Sequence, residues 1–119
     1  MPSRRPERVS GLLLETVAET LLREVKDPRV HEVTVTGVRM SPDLKTAKIF
    51  FVTRKKEDIL DALTGLRKAT GFIRRQVASH LQLRHTPGLE FQYDDTLENV
   101  NRLESLLRQA AAKERESLD

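Results

Sequence analysis

Apolar residues recur at four-residue spacing between Glu7 and Lys26: Val9, Leu13, Val17, Leu21 and Val25, with Leu12 and Leu22 beside them. That spacing paints one stripe on an amphipathic helix. A residue before proline is pushed out of helical geometry, so Asp27-Pro28 ends the helix and Lys26-Asp27-Pro28-Arg29 reads as a turn into a sheet. The period then shortens to two. Val33, Val35, Val38 and Met40 alternate with polar residues, apart from a slip at Gly37 that predicts a bulge. Ser41-Pro42-Asp43 supplies turn chemistry, and Lys45 to Thr53, rich in branched and aromatic residues, forms the second arm of an antiparallel hairpin. Ala47, Ile49 and Phe51 would share one face of it, Lys48 and Phe50 the other.

Helical spacing returns at Ile59, Leu60, Leu63 and Leu66, and again past Ala69-Thr70-Gly71 at Ile73, Val77 and Leu81. Glycine admits backbone angles that other residues resist, so a kink or tight turn is expected at Thr70-Gly71 in place of one long helix. Pro87-Gly88 closes this stretch, and Leu89, Phe91 and Tyr93 alternate as a third short strand. Asp95 and Glu98 suit a capping pair for a last helix. Its stripe is Leu97, Val100, Leu103, Leu106 or Leu107, and Ala110, read as core. The order is therefore helix, strand, strand, kinked helix pair, strand, helix. It predicts an α+β domain, a three-stranded sheet with helices on one face. A chain of 119 residues fits one such domain, with an ordered core at about residues 7–110 and loose ends.

Charge changes this picture more than composition does. Residues 1–44 hold seven basic and seven acidic side chains, residues 45–85 ten and three, and residues 86–119 four and eight. A cationic middle inside a chain of net charge +3 suggests one surface built for a polyanion; the plainer alternative is a solvated, lysine-rich face. Cysteine is absent, which removes disulfides and thiolate metal sites. Leu12-Leu13-Leu14 is too short for a signal peptide or a membrane span, so a cytoplasmic setting is expected. No catalytic constellation is marked: His31, His80 and His85 lack ligand spacing, and Asp94-Asp95 reads as a strand exit and helix cap. No enzyme activity, metal, cofactor or small-molecule substrate is expected.

Several segments carry a family resemblance. Glu24 to Arg29 (Glu-Val-Lys-Asp-Pro-Arg), followed by Val33-Thr-Val-Thr-Gly-Val, Met40-Ser-Pro-Asp-Leu, Ala69-Thr-Gly-Phe-Ile-Arg, Leu81-Gln-Leu-Arg and Pro87-Gly-Leu-Glu-Phe-Gln-Tyr-Asp-Asp-Thr-Leu, resembles the ribosome-binding factor A family in the same order. The resemblance implies a type II KH-like fold. It also implies a cytoplasmic factor of small-subunit (30S) assembly that helps the 16S ribosomal RNA mature, leaves before translation and matters for growth in the cold. KH domains clamp single strands with a Gly-X-X-Gly loop. This chain has only Ala69-Thr70-Gly71 there, which favours recognition of shaped RNA by charge and surface fit.

Under that reading Arg67 and Lys68 precede the kink and Arg74 and Arg75 follow it, gathering cations around a helix start where phosphate could bind. Gly71 would form the turn itself. Lys45, Lys48, Arg54, Lys55, Lys56 and Arg84 extend the basic zone, and Arg4, Arg5 and Arg8 make a short arm that could order on binding. Among the aromatic residues Phe50 alone falls outside the expected core. The partner is then the small subunit and its RNA, met by a monomer away from any membrane. The alternative is a protein-docking module of similar fold that makes no direct RNA contact.

Overall fold

The computed structural model describes residues 5–118. Helix α1 (Arg5–Arg23) begins with Pro6 in its first turn, where a missing N–H costs nothing. It buries Val9, Leu13, Val17 and Leu21, the expected stripe, while Leu12 and Leu22 lie on its exposed side. Thr20 is buried with them, its hydroxyl donating to Thr16 O at 2.7 Å. After α1 the chain makes a 3₁₀ turn, Pro28–Val30.

Strands β1 (Thr34–Met40) and β2 (Thr46–Val52) form the antiparallel hairpin. The register shifts between Val35 and Gly37, so Thr36 is the extra residue of a bulge and Gly37 lies opposite Phe50. At the hairpin turn Leu44 takes φ 61°, a left-handed angle uncommon for a non-glycine residue. Asp43 holds that turn: its carboxylate accepts from Ser41 Oγ at 2.6 Å and Lys45 N at 3.0 Å.

Helix α2 (Ile59–His80) crosses over and returns the chain as β3 (Gly88–Tyr93), parallel to β2, giving the sheet order β1-β2-β3. A parallel pair requires such a crossover, and here the helix supplies it. Ala47, Ile49 and Phe51 of β2 face α1 and α2 and are fully buried among Leu13, Val17, Leu66, Ile73 and Val77. This is the expected α+β arrangement of KH type II-like order. Leu60 departs from its expected stripe and is exposed, Ala62 taking the buried place on α2.

Three expectations fail here. The Ala69-Thr70-Gly71 interruption does not divide α2, which runs 22 residues without a break, and no glycine among the described residues has a positive φ. Gly71 sits in ordinary helical geometry, and Thr70 only bonds back to Leu66 O at 2.8 Å, a pattern that at most bends a helix. Helix α3 (Thr96–Leu118) is not core either: Leu97, Val100, Leu103, Leu106 and Leu107 are 44–71% exposed, and Ala110 is exposed too. The covered face of a three-stranded sheet is already filled by α1 and α2, leaving a third helix no place there. Its start is held by Asp94 and not by Asp95: the Asp94 carboxylate accepts from Thr96 N at 3.0 Å and from Thr36 Oγ1 at 2.6 Å. Glu98 accepts from Tyr93 Oη at 2.9 Å.

Candidate nucleic-acid interface

The outward side of α2 carries four cations, Arg67, Lys68, Arg74 and Arg75. Residues seven apart nearly overlie one another on a helix, so Arg67 and Arg74 form one row and Lys68 and Arg75 a second. Between the rows runs a line of small residues, Thr64, Gly71 and Ala78, at least partly open to solvent. A Cβ placed at Gly71 would find nothing closer than Arg75 Nη1 at 3.8 Å. Gly71 is thus a bare notch between two cationic rows. The helix start expected there does not exist, because the backbone amides are spent within α2; any anion is met by side chains alone.

The four cations are not equivalent. Arg74 donates from Nε to Pro87 O and from Nη2 to Thr86 O, both at 3.0 Å. It fastens the segment leading into β3 against α2, and Pro87 is buried beneath it. Its charge remains at the surface, while its side chain is tied to these two carbonyls. Arg75 extends over the Phe72 ring, its Cζ 6.0 Å from the centroid. Arg67 and Lys68 are exposed and form no salt bridge among the described residues.

The other cations are dispersed. Lys45 and Arg84 meet Arg5 and His85 around a shallow cleft at the end of the molecule where the hairpin turns. Asp43 lies in that cleft, its hydrogen bonds from Ser41 and Lys45 keeping its carboxyl below the usual carboxylate range. Arg54 and Lys56 lie at the opposite end of β2 and are engaged with acids, Arg54 with Glu32 at 4.0 Å and Lys56 with Glu98 at 3.5 Å. Lys55 is exposed between them. Arg5 and Arg8 belong to the first turn of α1 and are already helical, so they are no arm awaiting a partner; Arg4 lies outside the described residues. Lys48 points from the uncovered face of the sheet beside Arg39, a cation that the sequence pattern does not single out although it alternates with Val38 and Met40.

The Lys26-Asp27-Pro28-Arg29 segment is structural. Asp27 caps the 3₁₀ turn through Arg29 N at 3.0 Å and grips the Arg29 guanidinium, Nη2 to Oδ2 at 2.6 Å and Nε to Oδ1 at 3.0 Å. The guanidinium hydrogen bond, with the backbone bond behind it, holds the Asp27 carboxyl at about 2. This clip seats Val30 against Gly65 of α2, where an added Cβ would lie 2.9 Å from Val30 Cγ1. Gly65 is silent in the sequence, since nothing local marks a glycine needed for close approach. Among the described residues no group of three or more His, Cys, Asp or Glu could hold a metal ion, and no helix is long and apolar enough to cross a membrane.

Comparison with known proteins agrees with this fold. The sequence profile of the family described as Ribosome-binding factor A matches residues 5–107. Ribosome-binding factor A of Thioalkalivibrio sulfidiphilus is 44% identical over 112 residues, covering 93% of this chain and 87% of that protein. That of Natranaerobius thermophilus is 42% identical over 110 residues, covering 92% and 84%. The crystal structure of ribosome-binding factor A from Thermus thermophilus superposes with TM-score 0.66 at 26% identity, over 74% of this chain and 94% of that one. A Thermus thermophilus homology model fitted into a cryo-EM map of a 30S-RbfA complex gives TM-score 0.61 at 27% identity, over 71% and 90%. With its profile match, its relatives and its fold in agreement, the chain belongs to the ribosome-binding factor A family.

Proposed function

We propose that this protein binds the small ribosomal subunit by laying the outer side of α2 along ribosomal RNA, assists late maturation of the 16S RNA, and leaves before translation. It works in the cytoplasm as a monomer and performs no chemistry. The observation that carries this reading is the pair of cationic rows flanking Gly71. Phosphates bind such rows by releasing counterions, and a position without a side chain lets a sugar-phosphate backbone come close. The Thermus thermophilus relative fitted into a 30S-RbfA complex supports the choice of subunit.

Co-sedimentation with purified subunits tests the proposal. Binding to small subunits should exceed binding to large ones and weaken as salt rises. Reversing Arg67, Lys68 and Arg75 to Glu should lower affinity and reduce the salt slope by about one unit per lost phosphate contact. Unchanged affinity and slope in a folded triple variant would remove α2 as the contact surface. The exposed apolar stripe of α3 favours a second reading, a module that docks on protein. Naked ribosomal RNA should displace an RNA binder from the subunit and leave a protein-docking module in place.

A further inference from the structure

The face of the sheet turned away from the helices is mostly polar, with Phe50 and Val52 of β2 as its large apolar side chains. Across the middle of the sheet Gly37, Phe50 and Gln92 lie side by side on β1, β2 and β3, and the next row on the same face is Arg39, Lys48 and Glu90. Phe51 fills the core, whereas Phe50 lies on the uncovered side and is only partly buried. An aromatic ring there contributes nothing to the buried cluster. On the β1 side its neighbour is a glycine whose Cβ position has nothing within 4 Å, so the ring borders open floor. The Arg39 guanidinium lies over the ring, its Cζ 5.9 Å from the centroid. Arg39 and Lys48 also line a shallow depression together with Thr46, and neither forms a salt bridge among the described residues.

We propose that this face holds one unpaired base of single-stranded RNA, stacked on Phe50, with Arg39 and Lys48 on the adjoining phosphates. Every base has a flat π face that stacks on an aromatic ring, and cations beside the ring track the backbone. The Gln92 amide, which has both a donor and an acceptor, is placed to meet a base edge. Charge and shape together favour a nucleic acid over a protein occupant. Two cations, Arg39 and Lys48, share this side with two acids, Glu90 and Asp94, but the Asp94 carboxylate is engaged by Thr36 Oγ1 and Thr96 N. A glycine floor also suits a flat ring better than an interdigitating side chain. This inference rests on the RNA-binding reading above and adds a second, separate contact to it.

The chain has no tryptophan, so Phe50→Trp places a sole indole at the site. Its emission should be quenched, saturably, by oligouridine of about ten nucleotides and left unchanged by blunt duplex RNA of the same length. Phe50→Leu, which keeps an apolar side chain on the sheet, should weaken oligouridine binding about 5- to 150-fold without affecting duplex binding. Arg39→Ala should weaken it in the same direction. Quenching by intact small subunits but not by any RNA would show a protein occupant and overturn the proposal. So would oligouridine binding that Phe50→Leu leaves intact. If the α2 charge reversals abolish binding while Phe50 variants bind as the parent does, this inference fails and the RNA-binding reading stands. If neither RNA binds the parent protein, this inference fails, whereas the reading of α2 stands or falls on the subunit co-sedimentation.

Discussion

Two glycines on the same helix should respond to alanine with opposite signs. At Gly65 the new methyl would sit 2.9 Å from Val30 Cγ1, 3.2 Å from Arg29 Cβ and 3.5 Å from Asp27 Oδ2. Comfortable carbon contacts lie at about 3.5–4.0 Å, so something must move by about half an ångström or more. Val30 is 1% exposed and belongs to a turn stiffened by Pro28 and the Asp27–Arg29 grip, so it cannot rotate away cheaply. Overpacking of this kind costs about 1–3 kcal/mol, partly offset by about 0.5–1 kcal/mol from replacing glycine in a helix interior. A net loss of about 1–2 kcal/mol is expected for Gly65→Ala. At Gly71 the space is open, and only the helix gain remains, so Gly71→Ala should stabilise by about 0.5–1 kcal/mol. Urea unfolding followed by far-UV circular dichroism measures both, with the m-value as a check that only stability has changed. If Gly65→Ala stabilised the protein, the turn would not dock as closely as described. If Gly71→Ala destabilised it, Gly71 would hold a positive backbone angle and α2 would be broken there after all.

Arg74→Ala should cost about 1–2 kcal/mol through its two lost hydrogen bonds to the Thr86 and Pro87 carbonyls, while Arg75→Ala should stay within about 0.5 kcal/mol in the same urea titration. Asp27 has a folded-state pKa of about 2, below its ordinary 3.8. Its contribution is therefore complete above about pH 4 and is lost as pH falls through about 2; Asp27→Asn should be less stable at neutral pH and lose less on acidification. A chain ending at Asn99 keeps the Tyr93–Glu98 contact and drops the exposed part of α3, so its urea midpoint and m-value should nearly match those of the full chain. A marked fall in m would show that α3 packs on the domain.

The elements are legible in the sequence because each buries a single face. The four-residue rhythm of α1 and the alternation in β1 and β2, including the slip at Gly37, map directly onto the covered side of the sheet. Periodicity, however, reports that a helix is amphipathic and not what covers it, which is why the stripe of α3 reads as core and is exposed. Glycine is ambiguous in the same way. Gly71 reads as a turn and is a gap between cations, whereas Gly65 gives no signal and is the tightest glycine contact among the described residues. The basic middle segment is visible as charge, but its division among α2, the uncovered sheet and the two ends of β2 depends on how the chain folds. Arg74 shows the limit most clearly, since its carbonyl partners lie twelve and thirteen residues away in an irregular segment that has no pattern to read.

A sheet covered on one side only has a second consequence, for how the binding energies combine. The α2 rows and the Phe50 face lie on opposite broad sides of the domain, with the whole hydrophobic core between them. They share no partner and are screened from each other by distances on the scale of the Debye length. Losses from changes on the two sides should therefore add, as they do for independent sites. One continuous RNA strand could not easily bridge both sides without wrapping an edge. If both are occupied, the protein is a spacer between two RNA segments, setting their separation by its own thickness.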